Sequence, residues 1–537
     1  MKNKLVTICV FVLLVIFIGV SLIGEGNESF TFDEPFHFRE GVNHLLYHSF
    51  SADPYSPPLI QELVALPCVL LGKCHGSNVT TPENLTGARL VVIGFGAILL
   101  TSIFLVTKRF FTAESAILAL ILAAFEPNLL ANSHYATLDI GFSLAFFWLY
   151  LSWYLCLERA SPTNFFWLAV SLGLALSTKI SAIPFFLMSA LALLIWQKRK
   201  NTFSWLWRRK LPLLFVILGG LSVLWGTYFF QTEVIIAARP DPGRVSSTIL
   251  AGDNSFLKQI VLFGQRQKIP LGNYMAKVKN TIIASQQGGS VFFWGNFSSR
   301  ARWYYLPVNF LSKTPITLLV LVFLAFLVKQ STTVRRRQIL FMIPVIAIMV
   351  LFSLTPFETR IRYILPLYPF LLIVGSSTLA WFTRKKRRLL LLAGLILWYL
   401  IGTLVQFPHF LSYANELAGP RALRYLKFYD SNLDWGQSLP DLVTYGQRQK
   451  IGKFNMSYFG TDDSARYGLV SDIPYGSGQI KENCAFRKII FNSLLVKEVT
   501  VISSSNWYYC GYYLKPEFRS EKVKTVVGDS LLVLEEL

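Results

Sequence analysis

The sequence predicts a polytopic α-helical membrane protein with about eleven transmembrane helices and a small extracytoplasmic α/β domain at its C-terminal end. Three observations predict it. Hydrophobic residues fill 53% of the 537 positions and charged residues only 15%, whereas soluble domains carry about 25% charged residues. Apolar runs with almost no charge recur near residues 5–23, 90–107, 115–131, 140–157, 164–178, 180–196, 211–230, 305–328, 339–354, 363–382 and 389–406. The basic residues between these runs fall on alternate sides.

With the N-terminus inside, the short inner segments hold Lys2, Lys4, Lys108, Arg109, Arg159, Lys198–Lys200, Arg208–Lys210, Lys329, Arg335–Arg337 and Arg384–Arg388. This is the pattern that the positive-inside rule requires. The net charge of +21 is therefore mainly a topology signal, one that also favours anionic lipid headgroups. No nucleic-acid partner is expected. The first run has a longer apolar core than a signal peptide, and no A-x-A-like site follows it, so it is expected to be retained.

This topology leaves three long segments outside, at about 25–88, 231–304 and 407–537. It divides the chain into a membrane part over 1–406 and a tail domain over 407–537. In the tail, KFNMSYFGT, RKIIFNSL, EVTVISSS and KTVVGDSLLVLEEL alternate apolar positions and are expected to form short strands or mixed elements. Asp462–Asp463, Gly476–Gly478 and Gly528–Asp529 mark the turns between them. Cys68 and Cys74 share one outer loop, and Cys484 and Cys510 share the tail, where two bridges are compatible with an oxidising compartment. The pairing stays open at this level.

The first outer loop carries the densest chemistry. TFDEPFHFREG sets Asp33, Glu34 and His37 among phenylalanines directly after the first span. Carboxylates at a membrane surface can take a proton from an acceptor hydroxyl or hold a cation. Downstream, Pro57 and Pro58 impose an extended turn before an interfacial helix over 59–67. In EPNLLANSHYATLD, Asp139 stands at the mouth of a span, as either a functional carboxylate or a helix cap. Arg89, Lys179, Arg360 and Arg362 are cations on the outer side, where the topology rule disfavours them. Snorkelling to lipid phosphate would explain each alone, but together they suit a phosphate leaving group. Trp303, Tyr304 and Tyr305 form an interfacial aromatic belt. After the last span, Asn432, Asp434, Trp435 and Gln437 form either a carbohydrate contact or a hinge clamping the tail to the membrane part.

FDEPFHFREG, PPL, NLLANSHYATLD, LSTK, RWYYLPVNFLSKTP, RIRYILPLYPFL and SYANEL…DSNLDWGQ follow one another in this order over about 400 residues. This series resembles the bacterial phospholipid-carrier-dependent glycosyltransferases related to the dolichyl-phosphate-mannose protein mannosyltransferases, of the glycosyltransferase C (GT-C) superfamily. The resemblance implies a GT-C type fold with an outward-facing site. It implies transfer of a sugar from a polyprenyl-phosphate donor to a protein, lipid or glycan acceptor, with inversion at the anomeric carbon. The family's acidic pair falls on Asp33 and Glu34, its second acidic position on Asp139, and its PPL element on Pro57, Pro58 and Leu59. Where family members often have His before the proline pair, this chain has Ser56; where they have arginine–histidine, it has Arg362–Tyr363.

On this reading Asp33 or Glu34 is the general base and the other orients it, while Asp139 positions the acceptor or supports positive charge on the sugar. Lys179, Arg89, Arg360 or Arg362 stabilises the departing phosphate. No ligand set compels a cofactor, and a divalent cation is compatible with the clustered carboxylates. The chain is expected in the inner membrane of a bacterium, with site and C-terminus outside the cytoplasm. Two rivals are a lipid-linked sugar flippase and an inactive scaffold in envelope-glycan assembly. The polar clusters at the outer ends of spans, and the lack of a visible repeat, disfavour the flippase.

Overall fold

The computed structural model describes residues 2–74, 79–197, 202–235, 259, 263, 266–287, 291–356, 360–471 and 484–534. Lys198–Lys200, the turn at Gly476–Gly478 and much of the second long loop lie outside the described residues. The first half is a succession of apolar helices: α1 (Lys2–Asn27), α2 (Glu34–Tyr47), α3 (Leu59–Leu70), α4 (Pro82–Phe110), α5 (Ala113–Ala124), α6 (Pro127–Asn132), α7 (Asp139–Glu158), α8 (Pro162–Thr178), α9 (Ala182–Trp196), α10 (Thr202–Arg208) and α11 (Lys210–Gly226). Next come β1 (Thr232–Glu233), β2 (Ile269–Pro270), α12 (Gly272–Gln287), β3 (Val291–Phe293) and β4 (Asn296–Ser298). The membrane part closes with α13 (Tyr305–Lys313), α14 (Ile316–Leu327), α15 (Thr332–Ser353), a tight turn at Ile361–Leu367, α16 (Tyr368–Ser376), α17 (Leu379–Phe382) and α18 (Lys386–Gln406).

Among the described residues, six helical segments are long and apolar enough to cross a membrane: α1, α4, α7, α15, Ile361–Phe382 and α18. The chain is a multi-pass membrane protein. Every apolar run singled out in the sequence is mainly helical, but three are interrupted, the run 363–382 at residues 377–378 between α16 and α17. The run 115–131 is split into α5 and α6, with Glu126 capping α6 through the Leu129 amide and Pro127 opening it. The run 305–328 bends by 108° between α13 and α14, which make a seventh span if taken together. Pro315 explains the bend, since it lacks an N–H and holds Thr314 extended, with ψ 131°. Some polar groups within the spans find backbone partners: Tyr150 donates to the Leu340 carbonyl and Tyr399 to the Leu122 carbonyl.

The tail holds α19 (Leu439–Gln449), β5 (Lys453–Ser457), β6 (Val470–Ser471), β7 (Arg487–Ile490), β8 (Glu498–Ser503), α20 (Ser504–Tyr509), β9 (Val523–Val527) and β10 (Leu531–Leu534). Its strands form one six-stranded sheet in the order β6-β7-β5-β8-β10-β9. Only β5 and β8 run parallel; the other pairs are antiparallel. Alternation sends Val501 and Val533 into one core with Leu439 and Leu442 of α19, and Ile502 and Leu532 into another with Trp507 and Tyr508. Both faces of the sheet are thus covered. Disulfides join Cys68 to Cys74 and Cys484 to Cys510.

The tail sits on the segment between α1 and α2. Ser29 N donates to Gln437 O and Phe32 N to Trp435 O, each at 2.9 Å. The Phe30 amide donates to the Asp462 carboxylate at 2.8 Å, and Phe32 stacks on Phe459 at 5.0 Å. A buried ionic lock lies beside this seam: Glu28 meets His134 at 2.9 Å and His409 at 3.5 Å, and His409 meets Asp441 at 3.2 Å. Burial works against both charges, but the hydrogen bonds prevail, drawing Glu28 down to about 2 and raising His409 to about 10.

Two predictions follow from this packing. A Cβ at Gly41 would lie 1.9 Å from the Gln61 carbonyl oxygen, where α2 crosses α3. Overfilling a packed interior costs about 1–3 kcal/mol, so Gly41→Ala should lower the thermal midpoint of the detergent-solubilised protein by several degrees. An unchanged midpoint would mean that the two helices do not touch there. The second concerns the lock. Because His409 is raised from 6.5 to about 10, its contribution is complete below pH 6.5 and is lost as pH rises towards about 10. Glu28, lowered from 4.5 to about 2, contributes above pH 4.5 and loses this as pH falls through about 2. Hydrogen exchange at the 28–32 and 435–437 seam should therefore quicken between pH 6.5 and 10 in wild type, and His409→Gln should flatten that dependence.

Candidate active site

The site grows out of the start of α2. Asp33 is the residue before the helix and Glu34 its first residue, so consecutive side chains leave the backbone in different directions. Their surroundings differ completely. Glu34 is fully buried and takes two hydrogen bonds from Arg89, at 2.8 Å and 2.7 Å. It also accepts from the Thr31 and Ala136 amides. Although burial raises a carboxyl, Arg89 and these amides hold Glu34 below its ordinary value. Arg89, also fully buried, uses its remaining donors on the carbonyls of Glu25, Glu28 and Ser29. Both were expected at the reacting centre. Together they tie the α1–α2 connection to α4.

Asp33 remains partly open, 27% exposed, and faces Arg362 at 2.8 Å. Asp139, the first residue of α7, faces Lys179 at 2.6 Å; its carboxylate reaches the end of α8 rather than capping its own helix. The two ion pairs share a neighbourhood. The Lys179 ammonium lies 4.9 Å from the Tyr363 ring and the Arg362 guanidinium 5.2 Å from it. Tyr363 therefore fronts both cations with an electron-rich face. The other face available to Arg362 is Trp435, 4.3 Å away and buried. Two carboxylates, two cations and two aromatic rings thus converge from α2, α7, the α8–α9 junction, the Ile361–Leu367 turn and the tail.

The remaining expected residues lie around this centre or hold it up. His37, one turn along α2, hydrogen-bonds Gln61 of α3 at 3.0 Å. Pro57 and Pro58 are buried, and Pro58 precedes the first residue of α3. Arg360 pairs with Asp430 at 3.2 Å and donates to the Tyr509 hydroxyl. Asn432 accepts from the Ile361 amide, fixing the turn that carries Arg362. Asp434 accepts from the Ser505 and Gly436 amides, and Gln437 bonds Trp435 N and Leu433 O. Burial dominates at Asp434 and raises it to about 7. Asn432, Asp434 and Gln437 are all buried and bonded to backbone, the arrangement that a hinge requires. Gly436, at φ +87°, makes the turn on which this hinge depends.

Sequence reasoning passed over Asp53, which caps the turn before the prolines through the Tyr55 and Ser56 amides and accepts from Gln61 at 2.8 Å. It also missed Lys277 of α12, which donates to the Asp53 carbonyl. The Asx-turn spacing D-x-Y-S was a legible signal for Asp53; nothing local marked Lys277.

The Glu34–Arg89 pair yields a sharp expectation. Removing one partner of a buried pair leaves a bare charge and costs about 3–5 kcal/mol. Glu34→Gln and Arg89→Met should each sharply reduce the yield of folded protein, while Glu34→Leu/Arg89→Met should recover part of it in thermal unfolding. If Glu34→Gln folds as wild type, the pair is not what holds this connection.

Residues 78–225, from just before α4 to α11, match the family model described as dolichyl-phosphate-mannose-protein mannosyltransferase. No curated protein sequence matches the chain. Among solved structures, ArnT from Cupriavidus metallidurans bound to undecaprenyl phosphate is similar at 14% identity and TM-score 0.49, over 76% of this chain and 71% of that one. The S. cerevisiae protein O-mannosyltransferase Pmt1–Pmt2 complex bound to the sugar donor is 22% identical, at TM-score 0.32, over 43% of this chain and 32% of its own. The archaeal oligosaccharyltransferase AglB from Archaeoglobus fulgidus, in complex with an inhibitory peptide and a dolichol-phosphate, is 12% identical, at TM-score 0.43, over 75% and 56%. The matched stretch contains Arg89, Asp139 and Lys179, and over it the chain is similar to the dolichyl-phosphate-mannose-protein mannosyltransferases.

Proposed function

We propose that this chain is an inverting glycosyltransferase. It would move a sugar from a polyprenyl-phosphate donor to an acceptor hydroxyl on the outer face of a bacterial inner membrane, with the tail on the same face. The observation that carries this reading is the pair of carboxylate–cation couples, Asp33–Arg362 and Asp139–Lys179, gathered around Tyr363. An acceptor needs a base, and a phosphate leaving group needs positive charge; this arrangement supplies both within one small region.

Asp33 takes the acceptor proton, because its carboxylate is the open member of the acidic pair. As the acceptor oxygen bonds the anomeric carbon from one face, the bond from that carbon to the phosphate oxygen breaks on the other. The electron pair leaves with the polyprenyl phosphate, whose growing charge is met by Arg362 and Lys179. Asp139 holds Lys179 in position and offsets positive charge on the sugar. The eleven spans expected from the sequence would place these groups at the outer ends of their helices.

The test is complementation of cells lacking the chain, with lipid-linked sugars and envelope glycans profiled by mass spectrometry. General-base loss typically costs about 10²–10⁴-fold in rate, so Asp33→Asn should insert normally, accumulate one polyprenyl-phosphate sugar and leave one glycan short of a residue. Asp139→Asn should weaken transfer less, by loosening Lys179. Full restoration by Asp33→Asn would remove the base assignment and favour transport or scaffolding.

A further inference from the structure

A polar cavity lies at the end of the helices opposite the two ion pairs. The twenty residues of α7, at about 1.5 Å each, carry the chain roughly 30 Å from Asp139 to Glu158. That is about the thickness of a bilayer's hydrocarbon core, so Glu158 stands at the other headgroup layer. Tryptophans and cations mark the same level. Arg209 lies 5.0 Å from the Trp205 ring, Lys210 4.5 Å from Trp207 and Arg336 5.8 Å from Trp196. The cavity encloses about 400 Å³ between the last turns of α7 and α9 and the first turns of α15. Ligand pockets usually enclose about 300–1,000 Å³. Glu158, Gln197, Arg336 and Arg337 supply its polar walls, and Trp196 an apolar one.

These walls carry a negative pole from α7 and a positive pole from α15. Glu158 is the last residue of α7, where the helix dipole disfavours an anion. Arg337 donates to the Phe110 carbonyl, which leaves its charge unanswered by a carboxylate. Glu158 and Arg336 are exposed, and neither makes an ion pair among the described residues. The side preference of basic residues accounts for the arginines, but not for a carboxylate set among them. A purely anionic ligand would meet repulsion from Glu158, and a purely cationic one from the two guanidiniums. A ligand with a phosphate and an ammonium a few bonds apart satisfies both poles, the phosphate through charge-assisted N–H donors. Leu155, three residues before Glu158, and Ile195, beside Trp196, are exposed, so acyl chains find apolar surface next to the cavity.

We propose that this cavity binds the headgroup of a phospholipid carrying a phosphodiester and a primary ammonium, with phosphate on Arg336 and Arg337 and ammonium on Glu158. The site lies across the membrane from the carboxylate–cation couples and stands whether or not the transferase reading holds.

The test uses the full-length protein in phosphatidylcholine nanodiscs containing equal amounts of phosphatidylethanolamine and phosphatidylglycerol. Native mass spectrometry after transfer to detergent reads the lipid that stays bound. Phosphatidylethanolamine should be retained over phosphatidylglycerol by about five-fold, what one exposed ion pair contributes at most. Glu158→Gln should abolish that preference, and Arg336→Gln should lower retention of both lipids. Both side chains are exposed, so both variants should keep the wild-type thermal midpoint. Equal or greater retention of phosphatidylglycerol, an unchanged preference in Glu158→Gln, or no retained lipid would overturn the proposal. So would a lowered midpoint in Glu158→Gln, because the carboxylate would then answer the protein's own charges. Soluble glycerophosphoethanolamine separates the two sources of this chemistry. If it displaces the lipid at equal concentration, the cavity takes a free zwitterion and the lipid assignment fails.

Discussion

The Arg89–Glu34 ion pair is the constraint on which the rest of this structure depends. Arg89 enters from α4, reaches the end of α1 through the carbonyls of Glu25, Glu28 and Ser29, and grips the first residue of α2. One guanidinium thus ties two long apolar helices to the loop between them. The pair tolerates full burial because all its strong donors and acceptors are matched, with the Phe30 ring 4.6 Å from the cation. By fixing Glu34 it fixes the origin of α2, and with it the direction of Asp33 at one end and of His37, Glu40 and His44 along one face.

The same segment is held from the other side by the tail. Residues 29–32 pair with 435–437 through backbone hydrogen bonds, so the sheet domain does not hang freely from the last helix. This has a consequence for the site. Trp435 and the turn fixed by Asn432 set the far wall against Arg362, so that cation is positioned by the tail although it belongs to a membrane segment. Membrane part and tail act as a single support, and the Glu28–His409–Asp441 lock adds a charge-based bond across the same seam.

Neighbouring carboxylates with opposite fates show why composition alone could not assign roles. Asp33 and Glu34 differ by one methylene and one position, yet one faces a partly open cation and the other a sealed guanidinium. The departure at Tyr363 is similar. Read along the chain, it removes a polar group; in the fold, its ring is within about 5 Å of both the Lys179 ammonium and the Arg362 guanidinium, an electron-rich neighbour to each.

The sequence by itself determined the membrane class, the helical runs, the tail strands and the loop that carries the acidic pair. These follow from apolar length, the period-two alternation and the side preference of basic residues, all of which act locally. KFNMS, RKII and EVTVIS became strands for that reason. Asp33, Asp139, Lys179 and Arg362 could be singled out because charges at membrane depth are costly. Their pairing could not be read. Which cation meets which carboxylate depends on how α2, α4, α7 and α8 pack, over separations of up to 329 residues. The joint burial of Glu40, His44, Glu62, Tyr228 and Tyr274 was equally invisible, since each residue reads locally as an ordinary polar position. Only tertiary packing decides which polar groups lose water together.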